Sequence, residues 1–262
     1  MNIRALNGLR LLAFSIALAA LAATGRAVRP AEAQTGAAGP QPQIPEGPQG
    51  DQIRLGQQIF AHTPRYAAKY VGNQMKCSDC HLRGGRAPYS SPLVGVPALF
   101  PSYNKRAGRV ITFTERIQEC FVRSENGKPP DPQGPEMKAL LAYLDWLSRD
   151  QPKGKPYPGR GLIKLPRLEG DAQRGAAIYA SQCSVCHGEE GAGTPPVLPP
   201  LWGPDSFNDG AGMSTVEKMA AFVKHNMPQS APGSLTAQQA YDVAAYVNSK
   251  PRPKMNPAYG KY

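Results

Sequence analysis

The chain has 262 residues, with 30 Lys and Arg against 19 Asp and Glu, a formal charge of +11, and it contains 28 prolines, 27 glycines and five cysteines. That much proline and glycine excludes long uninterrupted helices and points to short elements joined by ordered loops, in one large domain or two small ones. An odd number of cysteines excludes a simple disulfide framework, because one thiol has no partner.

The first residues read as an address. Arg4 and Arg10 precede or border an apolar run from Leu11 to Leu21, and Ala31-Glu32-Ala33 offers small residues for cleavage. This is a secretory signal peptide over 1–33, too short in its apolar part to span a membrane. Residues 34–50, rich in Gly, Pro and Gln, predict a flexible tether. No later stretch is apolar enough for a span, so the protein is expected in the bacterial periplasm with no membrane segment after cleavage.

Two copies of one motif follow, Cys77-Ser-Asp-Cys80-His81 and Cys183-Ser-Val-Cys186-His187. C-x-x-C-H is the haem c attachment signature: two thiols add to the porphyrin vinyl groups and the adjacent imidazole ligates iron. No further His or Cys cluster is present to complete a zinc site. The expected cofactors are two covalently bound haems.

The surroundings of the motifs also repeat. Leu55-Gly56-Gln-Gln-Ile59-Phe60 parallels Arg174-Gly175-Ala-Ala-Ile178-Tyr179, and Pro92-Leu93-Val94-Gly95 parallels Pro200-Leu201-Trp202-Gly203. Helical apolar spacing recurs over Glu136–Leu147 and Ala237–Val247. The prediction is an all-α fold of two tandem class I cytochrome c domains, 51–147 and 169–262. A Pro/Gly-rich strap, 148–168, joins them and is expected to lie across the surface.

The ligand opposite each histidine differs between the halves. In the second, Met227, followed by Pro228, is the favoured distal ligand of haem two, since thioether ligation suits an electron-carrying haem. Met213, Met219, Lys224 and His225 compete, with Met219 inside a predicted helix from Thr215 to His225. In the first half the unpaired Cys120 lies almost as far beyond His81 as Met227 lies beyond His187, although matching Phe121-Val122 to Phe222-Val223 puts it on a helix, earlier in the same segment. Arg116, Arg123 and Ser124 share its helical face, where they would stabilise a thiolate and attract an anion. Cys120 is therefore expected to ligate haem one. Lys105, Arg106 and Arg109 extend the basic run, which suits a small dianion. Export and the lack of an aromatic platform exclude nucleic acid as the partner.

Residues Tyr70–Leu82, Arg109–Gly127 and Glu136–Tyr143, with their Arg-Ile-x-x-Cys-x-x-x-Ser-x-Asn-Gly core, resemble the dihaem thiosulfate dehydrogenases over roughly 50–255. The resemblance implies a periplasmic enzyme that joins two thiosulfates into tetrathionate, in either direction, and passes two electrons to a small acceptor such as a cytochrome c or a high-potential iron–sulfur protein. It implies His81/Cys120 ligation of the active-site haem, with Arg116, Ser124 and Arg106 as site residues. Some members carry a lysine beside the distal methionine, where this chain has Asn226. Two other classes remain open: a Sox-type haem subunit that attaches thiosulfate to a carrier protein, and a non-enzymatic electron carrier.

Overall fold

The computed structural model describes residues 43–262 apart from Lys153; the expected signal peptide and most of the expected tether lie outside the described residues. The first helix, α1 (Pro48–Ala61), begins inside the stretch read as tether. Pro48 stands in its first turn, where proline lacks no needed donor and its fixed φ suits a helix. Arg54 then donates to the Pro45 carbonyl at 3.1 Å, and Ile44 packs on the first core. Residues 44–50 therefore belong to the folded part, because burial recruits residues that composition alone assigns to a linker.

Short turns α2 (Thr63–Tyr66), α3 (Cys77–Cys80) and α4 (Leu82–Gly85) lead through the first motif. A hairpin of β1 (Ser102–Asn104) and β2 (Arg109–Ile111) follows, with Tyr103 opposite Val110. It is a small addition to the expected all-α fold. Then come α5 (Phe113–Arg123), α6 (Pro135–Ser148), α7 (Ala172–Gln182), α8 (Ser184–His187), α9 (Val216–Asn226) and α10 (Ala237–Ser249). Among the described residues no helix is long and apolar enough to cross a membrane.

The repeated sequence segments are helix crossings. A Cβ on Gly56 would stand 2.0 Å from the Ala139 carbonyl oxygen, and one on Gly175 would stand 2.0 Å from that of Asp242. In each half glycine lets the first helix touch the closing helix, α1 on α6 and α7 on α10. Phe60, Phe121, Met137, Leu140 and Tyr143 fill the first core; Tyr179, Trp202, Met219, Tyr241 and Ala244 fill the second.

The halves are interlocked. Met75, next to the first motif, is buried in the second core. Asn73 Nδ2 donates to Ser124 O at 2.8 Å and Ser206 O at 3.0 Å, while Asn208 Nδ2 donates to Val122 O at 2.8 Å and Asn126 Oδ1 at 3.0 Å. These amides satisfy carbonyls at the end of α5 that the helix itself leaves without donors. The 148–168 segment is hydrogen bonded to the first half: Tyr89 N donates to Gly159 O at 2.6 Å, Ser91 N to Gly161 O at 2.9 Å, and Tyr157 Oη to Arg86 O at 3.0 Å.

Gly56→Ala should destabilise the protein by about 1–3 kcal/mol or more, because α1 must move off the α6 backbone. Equilibrium denaturant unfolding measures the loss; an unchanged midpoint would mean that the crossing gives way freely.

Candidate active site

Helix α5 places the central residues. Thr112 and Glu115 form a capping box, with Glu115 N donating to Thr112 Oγ1 at 3.2 Å and Thr112 N to Glu115 Oε2 at 2.7 Å. With the start set, Ile117, Phe121 and Val122 enter the interior. Arg116 and Cys120, one turn apart, both line an open crevice. Arg116 Nη1 donates to Cys120 Sγ at 3.2 Å and lies 3.3 Å from Glu119 Oε2. The negative charge available on Cys120 holds the Arg116 guanidinium above its usual value, with Glu119 adding to it against the opposing effect of burial.

Glu119 is a site residue that the sequence reading passed over. It is buried, and its Oε1 accepts from Asn104 Nδ2 at 2.7 Å, so it links Arg116 to the β-hairpin. The three-residue spacing from Arg116 was the available signal.

The crevice, about 1170 Å³, is lined by Cys77, Cys80 and His81 together with Cys120 and apolar side chains including Phe60, Leu93, Val96 and Leu140. His81 Nδ1 is 2.7 Å from Ser91 O. A ring committed at Nδ1 to a carbonyl presents Nε2 as its free ligand atom. Burial pushes His81 down to about 4, outweighing the Ser91 carbonyl, so the imidazole is neutral at pH 7, as an iron ligand must be. The strap serves this arrangement: Tyr89 and Ser91 have φ of 55° and 52°, and their N–H groups are held by Gly159 and Gly161. An apolar crevice, two thiols and an oriented neutral imidazole fit a covalently attached haem.

The second motif repeats the pattern in a more open setting. His187 Nδ1 lies 3.2 Å from Pro199 O, Cys183 is half-buried and Cys186 exposed. Met227 caps α9 in extended conformation, just beyond the helix. The other candidates have contacts of their own. Met219 lies in the second core, its sulfur 3.5 Å from Asn248 Nδ2. The His225 ring stands edge-on to Tyr89 with centroids 4.8 Å apart, and Lys224 Nζ donates to Gly233 O at 2.8 Å. Met213 borders a different cavity.

That cavity is a cleft of about 1290 Å³ that shares Cys80, His81, Arg116, Cys120 and Ser124 with the crevice. Lys105 and Arg106 reach it from the hairpin turn, where Asn104 Oδ1 accepts from Arg106 N at 2.9 Å. The second half contributes Met213 and Lys218. The structure thus brings Arg106, Arg116, Cys120 and Ser124 together. Arg109 is not among them; it pairs with Glu115 at 2.7 Å. Arg123 borders the cleft and feels the charge of Cys120, but its hydrogen bonds go to the second half. It donates to Gly210 O at 3.1 Å and to the Tyr262 carbonyl, because its position on α5 turns it toward the second half.

This fold and donor set define a dihaem c-type cytochrome. A SoxA/TsdA cytochrome c domain model matches residues 59–152, and one described as cytochrome c oxidase, cbb3-type, subunit III matches 170–247. The chain is 45% identical over 217 residues to a thiosulfate dehydrogenase of Stutzerimonas stutzeri (strain A1501), covering 80% of this chain and 71% of that protein. It is 40% identical over 220 residues to one of Allochromatium vinosum, covering 80% and 82%. The solved thiosulfate dehydrogenase TsdBA from Marichromatium purpuratum superposes with a TM-score of 0.79 at 40% identity; the match covers 84% of this chain and 51% of that longer one. The chain belongs to the thiosulfate dehydrogenase family, and its cytochrome c domains carry covalently bound haem.

Intact mass of the holoprotein should exceed that of its polypeptide by two haem groups. Cys183→Ser combined with Cys186→Ser should leave one, counted as pyridine haemochrome; two remaining would remove the second motif from haem attachment.

Proposed function

We propose that this chain is a dihaem thiosulfate dehydrogenase that couples two thiosulfates into tetrathionate and releases two electrons, working in the periplasm and reversible as a tetrathionate reductase. The observation that carries the reading is the 3.2 Å contact from Arg116 to Cys120, in the wall shared by an apolar crevice and a cationic cleft. His81 and Cys120 would hold the first iron, and His187 and Met227 the second. Bound haem supplies two one-electron acceptors, one at each iron.

The chain's own groups account for the sulfur chemistry. Arg116 donates to the Cys120 sulfur and, with Arg106 and Ser124, receives a thiosulfate dianion from the cleft. An S–S bond forms between Cys120 and the outer sulfur of thiosulfate, and two electrons leave that sulfur pair. A second thiosulfate attacks the outer sulfur of this cysteine adduct; the Cys120–sulfur bond breaks, the thiolate returns and tetrathionate departs. Glu119, anchored by Asn104, fixes the Arg116 guanidinium while Cys120 changes partners. A small electron-acceptor protein, a cytochrome c or a high-potential iron–sulfur protein, takes the electrons away.

The purified holoprotein should reduce an artificial acceptor with thiosulfate and no partner subunit; a requirement for a partner and a carrier protein would favour a Sox-type role. Cys120→Met separates ligation from sulfur chemistry, since a thioether can bind iron and cannot form the adduct. It should keep a low-spin haem with a raised potential and lose turnover. Full activity in this variant would exclude the covalent route.

Arg116→Ala should raise the half-saturating thiosulfate concentration by roughly tenfold or more, as loss of a charge-assisted contact worth about 1.5–3 kcal/mol requires. Steady-state kinetics at fixed haem content checks this; an unchanged value would move the anion site to Arg106.

A further inference from the structure

The cleft beside Cys120 opens onto the second half of the chain, whose Gly212, Met213 and Lys218 are among its lining residues. Lys105, Arg106, Arg116, Arg123 and Lys218 line it, with Glu119 as the one carboxylate among its lining residues. Five cations against one carboxylate and the Cys120 sulfur, proposed above to react as a thiolate, leave a net formal charge of three, more than one thiosulfate dianion balances. Two of the cations are already engaged: Arg116 with Cys120 and Glu119, and Arg123 with carbonyls of the second half. The side chains of Lys105, Arg106 and Lys218 have no hydrogen bond or ion pair among the described residues.

Lys218 is the least expected of these. It sits in the first turn of α9, where a positive charge opposes the helix macrodipole. Burial first, and then the positive charges of Arg106 and Arg116, lower its pKa. Five cations gathered around a cleft lined by a single carboxylate are unfavourable for folding alone and become favourable when an anion lies between them. Two dianions that must meet sulfur to sulfur repel each other, so the second needs its own counter-charge.

We propose that Lys218 holds the second thiosulfate, the one that attacks the cysteine adduct, so that the substrate site is completed across the two halves. This rests on the thiosulfate-coupling function proposed above. It makes Lys218 a substrate-binding residue that neither haem motif nor the cysteine helix supplies. The first thiosulfate is held by Arg116 and Ser124 beside Cys120; the second lies between Lys218 and Arg106.

Tetrathionate spans both positions, and on oxidised holoprotein carrying Cys120→Met, which cannot form the cysteine adduct, its binding is readable by calorimetry, so the Lys218 variants are compared for binding in that background. Lys218→Ala should weaken tetrathionate binding and raise the half-saturating thiosulfate concentration, each by roughly tenfold. Covalent haem content should not change. Lys218→Arg should restore both values, which a merely structural role for the lysine stem would not predict. Unchanged binding and kinetics in Lys218→Ala, or an arginine variant as impaired as the alanine one, would overturn the proposal while leaving the thiosulfate function intact. Wild-type holoprotein that neither turns over thiosulfate nor binds tetrathionate would overturn both.

Discussion

A guanidinium nitrogen 3.2 Å from a cysteine sulfur, one helical turn apart, is the contact around which the rest of the molecule is organised. A thiolate near a porphyrin crevice is costly unless a positive charge accompanies it. Helix α5 solves this with short-range geometry. Its capping box sets where the helix begins, and the four-residue spacing brings Arg116 over Cys120. Ile117 and Phe121 lock the opposite face into the core, and Glu119, tied to Asn104, holds the guanidinium from the side.

The remainder of the first half, and part of the second, keeps that helix in place. The carbonyls at its C-terminal end would be unsatisfied in isolation; Asn73 and Asn208 supply donors, and Arg123 spends its own side chain on the second half. Proximal geometry is built with equal economy. The Ser91 carbonyl orients His81, and the strap holds the 89–91 loop through Gly159 and Gly161. A connection that would be a spacer between independent domains instead helps aim an imidazole.

The same loop touches the second haem's surroundings. Asn226 Nδ2 donates to the Tyr89 carbonyl at 3.1 Å, and the His225 ring packs on Tyr89. The segment presenting Met227 is therefore joined by direct hydrogen bonding to the loop that orients His81. This link between the two segments is a property of the interface, not of either half alone. The cationic cleft has the same character: three of its elements come from different parts of the chain, the hairpin turn, α5 and the start of α9.

Much of this was written locally. The two C-x-x-C-H motifs, the helices over 135–148 and 237–249, the paired Gly segments and the face carrying Arg116 and Cys120 all follow from spacing, because covalent attachment and helical periodicity act over a few residues. Glu119 was within reach of the same reasoning. The packing of Ile44 on the first core, the engagement of Arg109 with Glu115, the hydrogen bonding of Arg123 to the second half and the arrival of Lys218 beside Arg106 were decided only by the tertiary structure. Each depends on what lies across a crossing or an interface. A side chain's charge and helical face can be read from its neighbours in sequence, but the group that meets it is chosen by the packing of segments far apart in the chain.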